Sequence, residues 1–144
     1  MNFFVICLDA GFIAGIIAFC SYLLFWLTKE KVSDLQFEDA ASIIFIWIII
    51  LIIIKNILYF SYVAINPPEF SPLRPFFSLI FLIVDSSITF PIIYIGCKLE
   101  FWDTMIFGVI LLVARRILEL ACFYLMIFIL NNNIEGGFYI FIYI

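Results

Sequence analysis

The chain of 144 residues contains no histidine. Histidine is the commonest acid–base group and metal ligand in proteins, and it is the side chain that titrates near neutral pH. Its absence removes the usual basis for acid–base catalysis and for metal binding. We therefore expect no catalytic residue, no metal and no cofactor, and we do not expect an enzyme.

Cysteine is sparse and scattered. The four residues Cys7, Cys20, Cys97 and Cys122 occur singly, and no C-x-x-C pair is present. This spacing argues against a thiol–disulfide enzyme and against a structural zinc site. Each cysteine is expected to be a small apolar residue within a helix.

Charge is also scarce. Charged residues make up 12% of the chain and hydrophobic residues 67%, and the mean hydropathy is +1.29. A soluble domain of this length has too little interior to bury so much apolar surface. The formal net charge is −4 and no basic run occurs, so nucleic acid is not an expected partner. The composition predicts an integral membrane protein whose main partner is the lipid bilayer.

Four stretches reach the length of about 20 predominantly apolar residues that a helix needs to cross a bilayer. They cover residues 3–27, 40–65, 76–99 and 105–130. Since the connections are short, the predicted fold is all-α, a four-transmembrane-helix bundle that forms a single membrane domain over residues 1–144. The first run lacks the features of a signal peptide, so we expect it to be retained as a span.

The segments between and after these spans are polar, stiff or short. Residues 28–39 form the one strongly polar loop, residues 66–75 contain four prolines, and residues 100–104 are predicted to be a tight turn. Residues 131–144 form a short hydrophobic tail that is too short to span and is rich in strand-forming residues. Loop 28–39 and the tail at 134–144 are the expected contact points for a protein partner.

The lysines and arginines near the span ends indicate an orientation. Lys29, Lys31 and Lys98 lie on the side of the two loops 28–39 and 100–104, whereas Arg74 lies on the opposite side. Cytoplasmic loops carry an excess of positive charge. We therefore expect both loops to be cytoplasmic.

Six charged residues fall in the predicted spans away from the span ends. They are Asp9, Lys55, Asp85, Arg115, Arg116 and Glu119. A charge at the centre of a span costs roughly 2.5–3.5 kcal/mol, so the fourth span is marginal unless its three charges are paired. Glu119 lies four residues after Arg115 and three after Arg116, within reach of both on a helix. Because the six charges sum to zero, we predict an interhelical charge network.

Simpler interpretations of these charges exist. Lys55 could extend its stem to the membrane interface, and Asp9 could reach the headgroups. Residues 105–114 could lie on the membrane surface and residues 117–130 could form a re-entrant segment. Paired charges could also do no more than fix the helix register.

Small residues line one side of the first predicted span. Gly11, Gly15 and Ala18, in the sequence GFIAGIIA, form a small-xxx-small pattern that allows two helices to approach closely. This side is opposite to Asp9 and Cys20. The pattern predicts helix packing, and ordinary packing without dimerisation is the simplest interpretation. Contact with a neighbouring copy is the alternative, and we expect the protein to form a homo-oligomer.

Ionisable residues inside a membrane commonly mark an ion path, a relay or a switchable pair. The sequence therefore predicts an oligomeric channel-like or membrane-sensing subunit with an intramembrane charge network. One alternative is a structural or regulatory membrane subunit that recruits a protein partner. Another is an intramembrane lipid-binding protein or enzyme, or a small transporter, although nucleotide motifs and internal repeats are absent.

The general plan of the chain places four short-looped spans in 144 residues whose isoleucine- and phenylalanine-rich composition indicates AT-rich coding. This plan resembles that of small membrane subunits of bacterial phage-defence and exclusion systems. The resemblance implies a bacterial inner-membrane protein with a role in antiviral defence.

Overall fold

The computed structural model of the protein describes residues 3–65 and 74–130. This part of the chain forms four helices, which confirms the all-helical prediction. The helices are α1 (Phe3–Thr28), α2 (Phe37–Ile65), α3 (Arg74–Cys97) and α4 (Phe101–Leu130). The predicted connector at 66–75, except for its last two residues, and the predicted tail at 131–144 lie outside the described residues.

Three of the four helices contain stretches long and apolar enough to cross a membrane. These stretches are Ile6–Thr28, Phe37–Ser61 and Leu79–Cys97. Together with the apolar composition of the whole chain, they indicate a membrane protein. The fourth helix is one continuous helix of 30 residues, but it carries three charges near its middle.

Each helix packs against two others in a ring, in the order α1, α2, α3, α4 and back to α1. Consecutive helices run antiparallel, so residues 29–36 and 98–100 connect helices at one end of the bundle, here called the loop end. Lys31 contacts Asp103 across these two connections, with Nζ and Oδ2 3.3 Å apart. The opposite end, where α1 begins and α4 ends, is called the far end.

Helix α2 begins three residues before the predicted span at 40–65. The backbone N–H of Gln36 donates to the Asp39 carboxylate at 3.1 Å, and the Gln36 carbonyl accepts the first helical bond from Ala40. The first of these bonds is one half of a capping box, and acidic side chains in a first turn interact favourably with the helix dipole. The polar residues assigned to the loop therefore form the first turn of the helix.

The connection between α3 and α4 is also shorter than predicted, because α4 begins at Phe101 within the expected turn at 100–104. Lys98 ends α3 with a positive φ of 52°, the left-handed conformation that often terminates helices. The backbone carbonyl of Glu100 then accepts bonds from both the N–H and the hydroxyl of Thr104. These bonds start α4 at once, and only three residues are left to make the turn.

The half of the bundle nearest the loop end has an apolar core. Its helices approach closely where glycine faces a large side chain: a Cβ built on Gly108 would lie 2.5 Å from the ring of Phe90, and one built on Gly96 would lie 2.9 Å from Ile43. The fully buried side chains of this half include Cys20, Leu24, Ile44, Trp47, Ile93 and Leu111.

Candidate functional site: a charge cluster inside the bundle

Asp85 on α3 lies at the centre of a group of charges from three helices. Its side chain is 0% exposed. One carboxylate oxygen, Oδ1, lies 3.0 Å from Nζ of Lys55 on α2. The other, Oδ2, accepts hydrogen bonds from Nη2 of Arg115 at 2.6 Å and from Nη2 of Arg116 at 2.5 Å, both on α4. A single carboxylate is thus shared by three cations.

Glu119 supplies the second carboxylate of this group. Its Oε1 lies 3.2 Å from Nε of Arg115, four residues earlier on α4, and its Oε2 lies 3.5 Å from Nη1 of Arg116. Lys55, Asp85, Arg115, Arg116 and Glu119 are together called the charge cluster. All are buried except Arg116, whose side chain is 28% exposed.

The charge cluster is attached to the apolar core through two residues that did not enter the predicted network. The indole Nε1 of Trp47 donates to the Thr89 hydroxyl at 2.8 Å, and this hydroxyl donates to the Asp85 carbonyl at 2.6 Å. The Trp47 ring also lies 5.3 Å from the Arg115 guanidinium carbon, a cation–π distance. Thr89 follows Asp85 by four residues and shares its helix face, but Trp47 stands in an apolar run that gives no such signal.

The contacts of the charge cluster are not all aligned hydrogen bonds. Lys55 Nζ, Asp85 Oδ1 and Arg115 Nε lie at ion-pair distance from a partner, yet none of these atoms has a partner with hydrogen-bonding geometry among the described residues. Attraction between opposite charges holds these atoms more than directed bonding does. Such contacts can be exchanged more easily than a bidentate, aligned pair.

Asp9 on α1 is not among the residues that the structure brings together. Its side chain is 6% exposed, its Oδ1 has no hydrogen-bond partner, and no cation lies within ion-pair distance in the described parts of the chain. The charge cluster therefore contains three cations and two carboxylates, a formal charge of +1. The sum of zero expected from six residues is reached only if the separate Asp9 carboxylate is included.

A small cavity adjoins the charge cluster between α1, α2 and α4. Its volume is about 20 Å³, room for about one water molecule, and the charged residues Lys55, Arg115 and Glu119 are among those that line it. The remaining lining residues are apolar: Ile13, Ile16, Ile48, Leu51 and Ile52. The cavity gives the Lys55 side chain unoccupied space beside it.

The predicted packing residues lie on the outer surface. Gly11, Gly15 and Ala18 are exposed, and a Cβ added at either glycine would meet no atom within 4 Å. Cys20 and Asp9, on the opposite side of α1, are buried in the bundle. The first helix therefore presents one face to α2 and α4 and leaves the face with small residues exposed.

The site contains several buried charges but few chemically reactive groups. Within residues 3–65 and 74–130, no group of three potential ligands has the geometry to hold a metal ion. All four cysteines are free thiols, and Cys20 and Cys97 are buried. What the site can do is hold fixed charges inside the bundle and exchange ion-pair partners. No family model, no curated protein and no solved structure matches this chain.

Proposed function

We propose that the protein is an oligomeric membrane-sensing subunit, and that the charge cluster is the part that responds to the stimulus. The observation that carries this proposal is a mismatch of charge inside the bundle. The charge cluster has a formal charge of +1, while the Asp9 carboxylate is buried on α1 without an ion-pair partner among the described residues. Ionisable groups inside a membrane are costly and commonly mark a functional element.

The packing of α1 against α2 supports Asp9 as a second partner for Lys55. Ile13 on α1 and Ile52 on α2 line the same cavity. Because the two helices are antiparallel, one turn from Ile13 toward the far end leads to Asp9. About one turn from Ile52 in the same direction leads to Lys55. The backbone of Lys55 is therefore level with Asp9, while its amine reaches back to Asp85.

Two positions of the Lys55 amine follow from this placement. In the structure the amine contacts Asp85. If it turned to Asp9, Asp85 would keep both arginines, and two cations would face two carboxylates. The charge cluster would then be neutral and Asp9 would be paired. The cavity beside Lys55 provides space for this movement, and we propose that the two positions are the two states of the sensor.

The movement would couple to the membrane potential. Asp85 lies 12 residues from the loop end of α3, and Asp9 lies 19 residues from the loop end of α1. The difference of seven residues corresponds to about 10 Å of depth, a third of a hydrocarbon layer of roughly 30 Å. A potential of about 100 mV would bias a charge moved over this full distance by about 0.8 kcal/mol, or about fourfold in population. Because the Lys55 backbone is level with Asp9, the amine moves over only part of this depth, and fourfold is the upper bound.

The surface of α4 supports the proposal that it is a fourth span. Trp102 and Tyr124 are both highly exposed, and their separation of 22 positions corresponds to about 33 Å of helix. Aromatic side chains prefer the two membrane interfaces, which are separated by about this distance. The exposed large side chains between them are apolar: Ile106, Val109, Ile110, Val113, Ile117 and Leu120.

The open face of α1 supports the proposal of an oligomer. Gly11, Gly15 and Ala18 leave backbone accessible over two turns, and such faces allow helices from two copies to approach closely. A channel-like role would also depend on this contact. The cavity beside the charge cluster holds only about 20 Å³, so we propose that a conduction path would lie between copies.

The cellular setting is part of the same proposal. The excess of Lys29, Lys31 and Lys98 at the loop end supports cytoplasmic loops at 28–39 and 100–104. A bacterial inner membrane and a role in phage defence are supported only by the resemblance of the general plan.

The proposal is tested with a protein in which Trp47 is the only tryptophan, made by Trp26→Phe and Trp102→Phe. The Trp47 ring lies beside Arg115, so its emission reports the electrostatic environment of the charge cluster. Emission and ion flux are recorded from proteoliposomes while a potassium gradient with valinomycin sets the potential. We expect the emission to change with potential in the native background, and not after Lys55→Met or Asp9→Asn.

Lys29→Met is the matched control, because Lys29 is an exposed lysine at the loop end. It should leave the emission response intact. An emission response without flux supports the sensing form of the proposal. Flux that changes with Arg115→Leu/Arg116→Leu, while the oligomer survives, supports the channel-like form. If the protein is folded but neither its emission nor its ion flux changes with the membrane potential, the proposal is rejected in favour of a structural role for the charges.

A further inference from the structure

Arg116 is the one member of the charge cluster that reaches the outer surface of the bundle. Its side chain is 28% exposed, and its near neighbours on the same surface of α4, Val113, Ile117 and Leu120, are exposed and apolar. With Trp102 and Tyr124 at the two membrane interfaces, the membrane centre is level with residue 113, midway between them. Arg116 is three residues farther along α4 and therefore lies about 5 Å from the membrane centre. A charged group at this depth would face hydrocarbon if nothing covered it.

The acceptors available to Arg116 within the chain are already shared. Oδ2 of Asp85 accepts from Arg115 as well as from Arg116, and the Glu119 oxygen lies 3.5 Å from Nη1, at the limit of a hydrogen bond. A guanidinium carries five N–H donors. Donors that face hydrocarbon without an acceptor are strongly unfavourable. With three cations and two carboxylates, the charge cluster lacks one carboxylate, and the exposed part of Arg116 is where it could be added.

The described part of a second copy is a poor source of this carboxylate. The exposed acidic residues of the described chain all belong to the loop end: Glu30, Asp34, Glu38, Asp39 and Glu100. Asp9 is buried inside the bundle. Two copies that met through this surface would bring two Arg116 side chains together, and like charges repel. Lipid phosphates lie at the headgroups, whereas Arg116 is held near the centre by Asp85.

We infer that the surface around Arg116 binds a transmembrane helix of another protein that carries an aspartate or glutamate near the middle of its span. The added carboxylate would bring the formal charge of the charge cluster to zero and would accept from the exposed guanidinium donors. Val113, Ile117 and Leu120 would supply the apolar part of the contact. The inference rests on the membrane placement of α4 in the proposed function, and it names the kind of partner of this subunit.

The inference can be tested with model peptides. A leucine-rich helix of about 22 residues with one central glutamate is compared with the same helix carrying glutamine or lysine at that position. Binding is measured by energy transfer between labelled protein and labelled peptide in phosphatidylcholine vesicles, and peptide self-association is measured separately. We expect the glutamate peptide to bind at least tenfold more tightly than the glutamine peptide, and the lysine peptide to bind least.

The position of the glutamate in the peptide and the charge at residue 116 of the protein are then varied. Moving the glutamate by seven residues, about 10 Å along the peptide, should remove its advantage with the native protein, a test that needs no variant of the bundle. Arg116→Gln should also remove the advantage, whereas Lys29→Gln should not. Because Arg116 also holds Asp85, folding of Arg116→Gln is checked by circular dichroism.

Three results would overturn the inference. Equal binding of the glutamate and glutamine peptides would show that no carboxylate is recognised. Association of the protein with itself that is lost in Arg116→Gln would assign the surface to a second copy. Competition by phosphatidylglycerol alone would assign it to lipid phosphate.

The membrane depth of α4 is measured with a fluorophore attached at Ile117→Cys. If aqueous iodide quenches this fluorophore and brominated lipid chains do not, α4 does not span the membrane. That result would reject the proposed function itself.

Discussion

The two halves of the bundle are stabilised differently. Near the loop end, buried apolar side chains such as Leu24, Ile44 and Leu111 pack together, and glycines admit close helix contacts. Toward the far end, the interior holds the charge cluster, a cavity and the Asp9 carboxylate, which has no ion-pair partner among the described residues. The two halves therefore differ in what fills the interior, which is closely packed apolar side chains in one half and charged side chains in the other.

This difference bears on why the charges are there. Replacing a buried ion pair with apolar residues of similar volume is often neutral or stabilising, whereas removing one partner is costly. Near the far end, four of the described charges are buried without being fully hydrogen-bonded: Asp9, Lys55, Asp85 and Arg115. A half of the bundle that served stability alone would be better filled with leucine. Stability alone is therefore a weak explanation for these charges, and this is a further reason for the functional role that we propose for the charge cluster.

The largest effect is expected from Asp85→Asn, which disrupts the far-end half at its centre. The change removes the carboxylate that faces Lys55, Arg115 and Arg116 and raises the formal charge of the cluster from +1 to +2. We expect a loss of about 3–5 kcal/mol in the free energy of unfolding, the usual result of leaving buried charges without a partner. Unfolding by denaturing detergent, followed by circular dichroism, measures this loss.

Asp103→Asn is the control for Asp85→Asn, because Asp103 pairs with a half-exposed Lys31 at the surface. Its loss should be at most about 1 kcal/mol. A second variant, Asp85→Asn with Lys55→Met, returns the formal charge to +1 and should recover part of the stability. If Asp85→Asn lost no more free energy of unfolding than Asp103→Asn, the pairing of buried charges would not determine the stability of the far-end half.

The next largest effect is expected in the loop-end half, from Gly108→Ala. A methyl group here would lie 2.5 Å from the Phe90 ring, so the ring or the helix must shift. Overpacking of this kind costs about 1–3 kcal/mol. Gly15→Ala is the matched control, because nothing lies within 4 Å of its added carbon. Thermal unfolding in detergent micelles should separate the two variants, and equal midpoints would contradict the close contact of α3 with α4.

Gly15→Ala also distinguishes packing within a bundle from packing between copies. If copies meet through the open face of α1, this variant should weaken the oligomer without destabilising the monomer. Energy transfer between two labelled populations of the protein in vesicles would report the difference.

How far the sequence predicted the structure depended on the kind of signal. Apolar length predicted four helices, but not where they end, because Gln36 and Asp39 are polar residues that cap α2 and do not belong to a loop. The same was true of α4, which begins after a three-residue turn at Lys98. Hydropathy locates the part of a helix that suits a membrane, and the caps that set its ends are local polar contacts.

The site was predicted in part for a similar reason. The spacing of Arg115, Arg116 and Glu119 on one helix places them in contact, and charge balance pointed to Asp85 and Lys55 as partners from other helices. Charge balance gives no distances. Asp9 was therefore predicted to belong to the network, although its carboxylate has no ion-pair partner among the described residues. Trp47 was not anticipated at all, since a ring in an apolar run shows its hydrogen bond and its cation only in three dimensions.

Trp47 stands at the boundary of the two halves, and Trp47→Phe tests how strongly they are joined. The change removes the hydrogen bond to Thr89 and weakens the contact with the Arg115 guanidinium. We expect a loss of about 1–2 kcal/mol in the free energy of unfolding. Thr89→Val keeps the ring but removes this hydrogen bond and also the one from the Thr89 hydroxyl to the Asp85 carbonyl. A larger loss for Trp47→Phe than for Thr89→Val would therefore assign the excess to the ring and its contact with Arg115. A smaller loss would show that the two hydrogen bonds of Thr89 contribute more than the ring.

The smallest effect is expected from Lys98→Gly, which touches neither half. Lys98 ends α3 with a φ of 52°, a conformation that costs a side chain about 1–2 kcal/mol and costs glycine nothing. Glycine also makes the unfolded chain more flexible, which takes back about 0.4–1 kcal/mol. The expected net gain is therefore about 0.5 kcal/mol in the free energy of unfolding. Lys98→Ala removes the same charge without relieving the backbone, so thermal midpoints should rank glycine above alanine. If the two variants were equally stable, the left-handed backbone conformation at Lys98 would not reduce the stability of the protein.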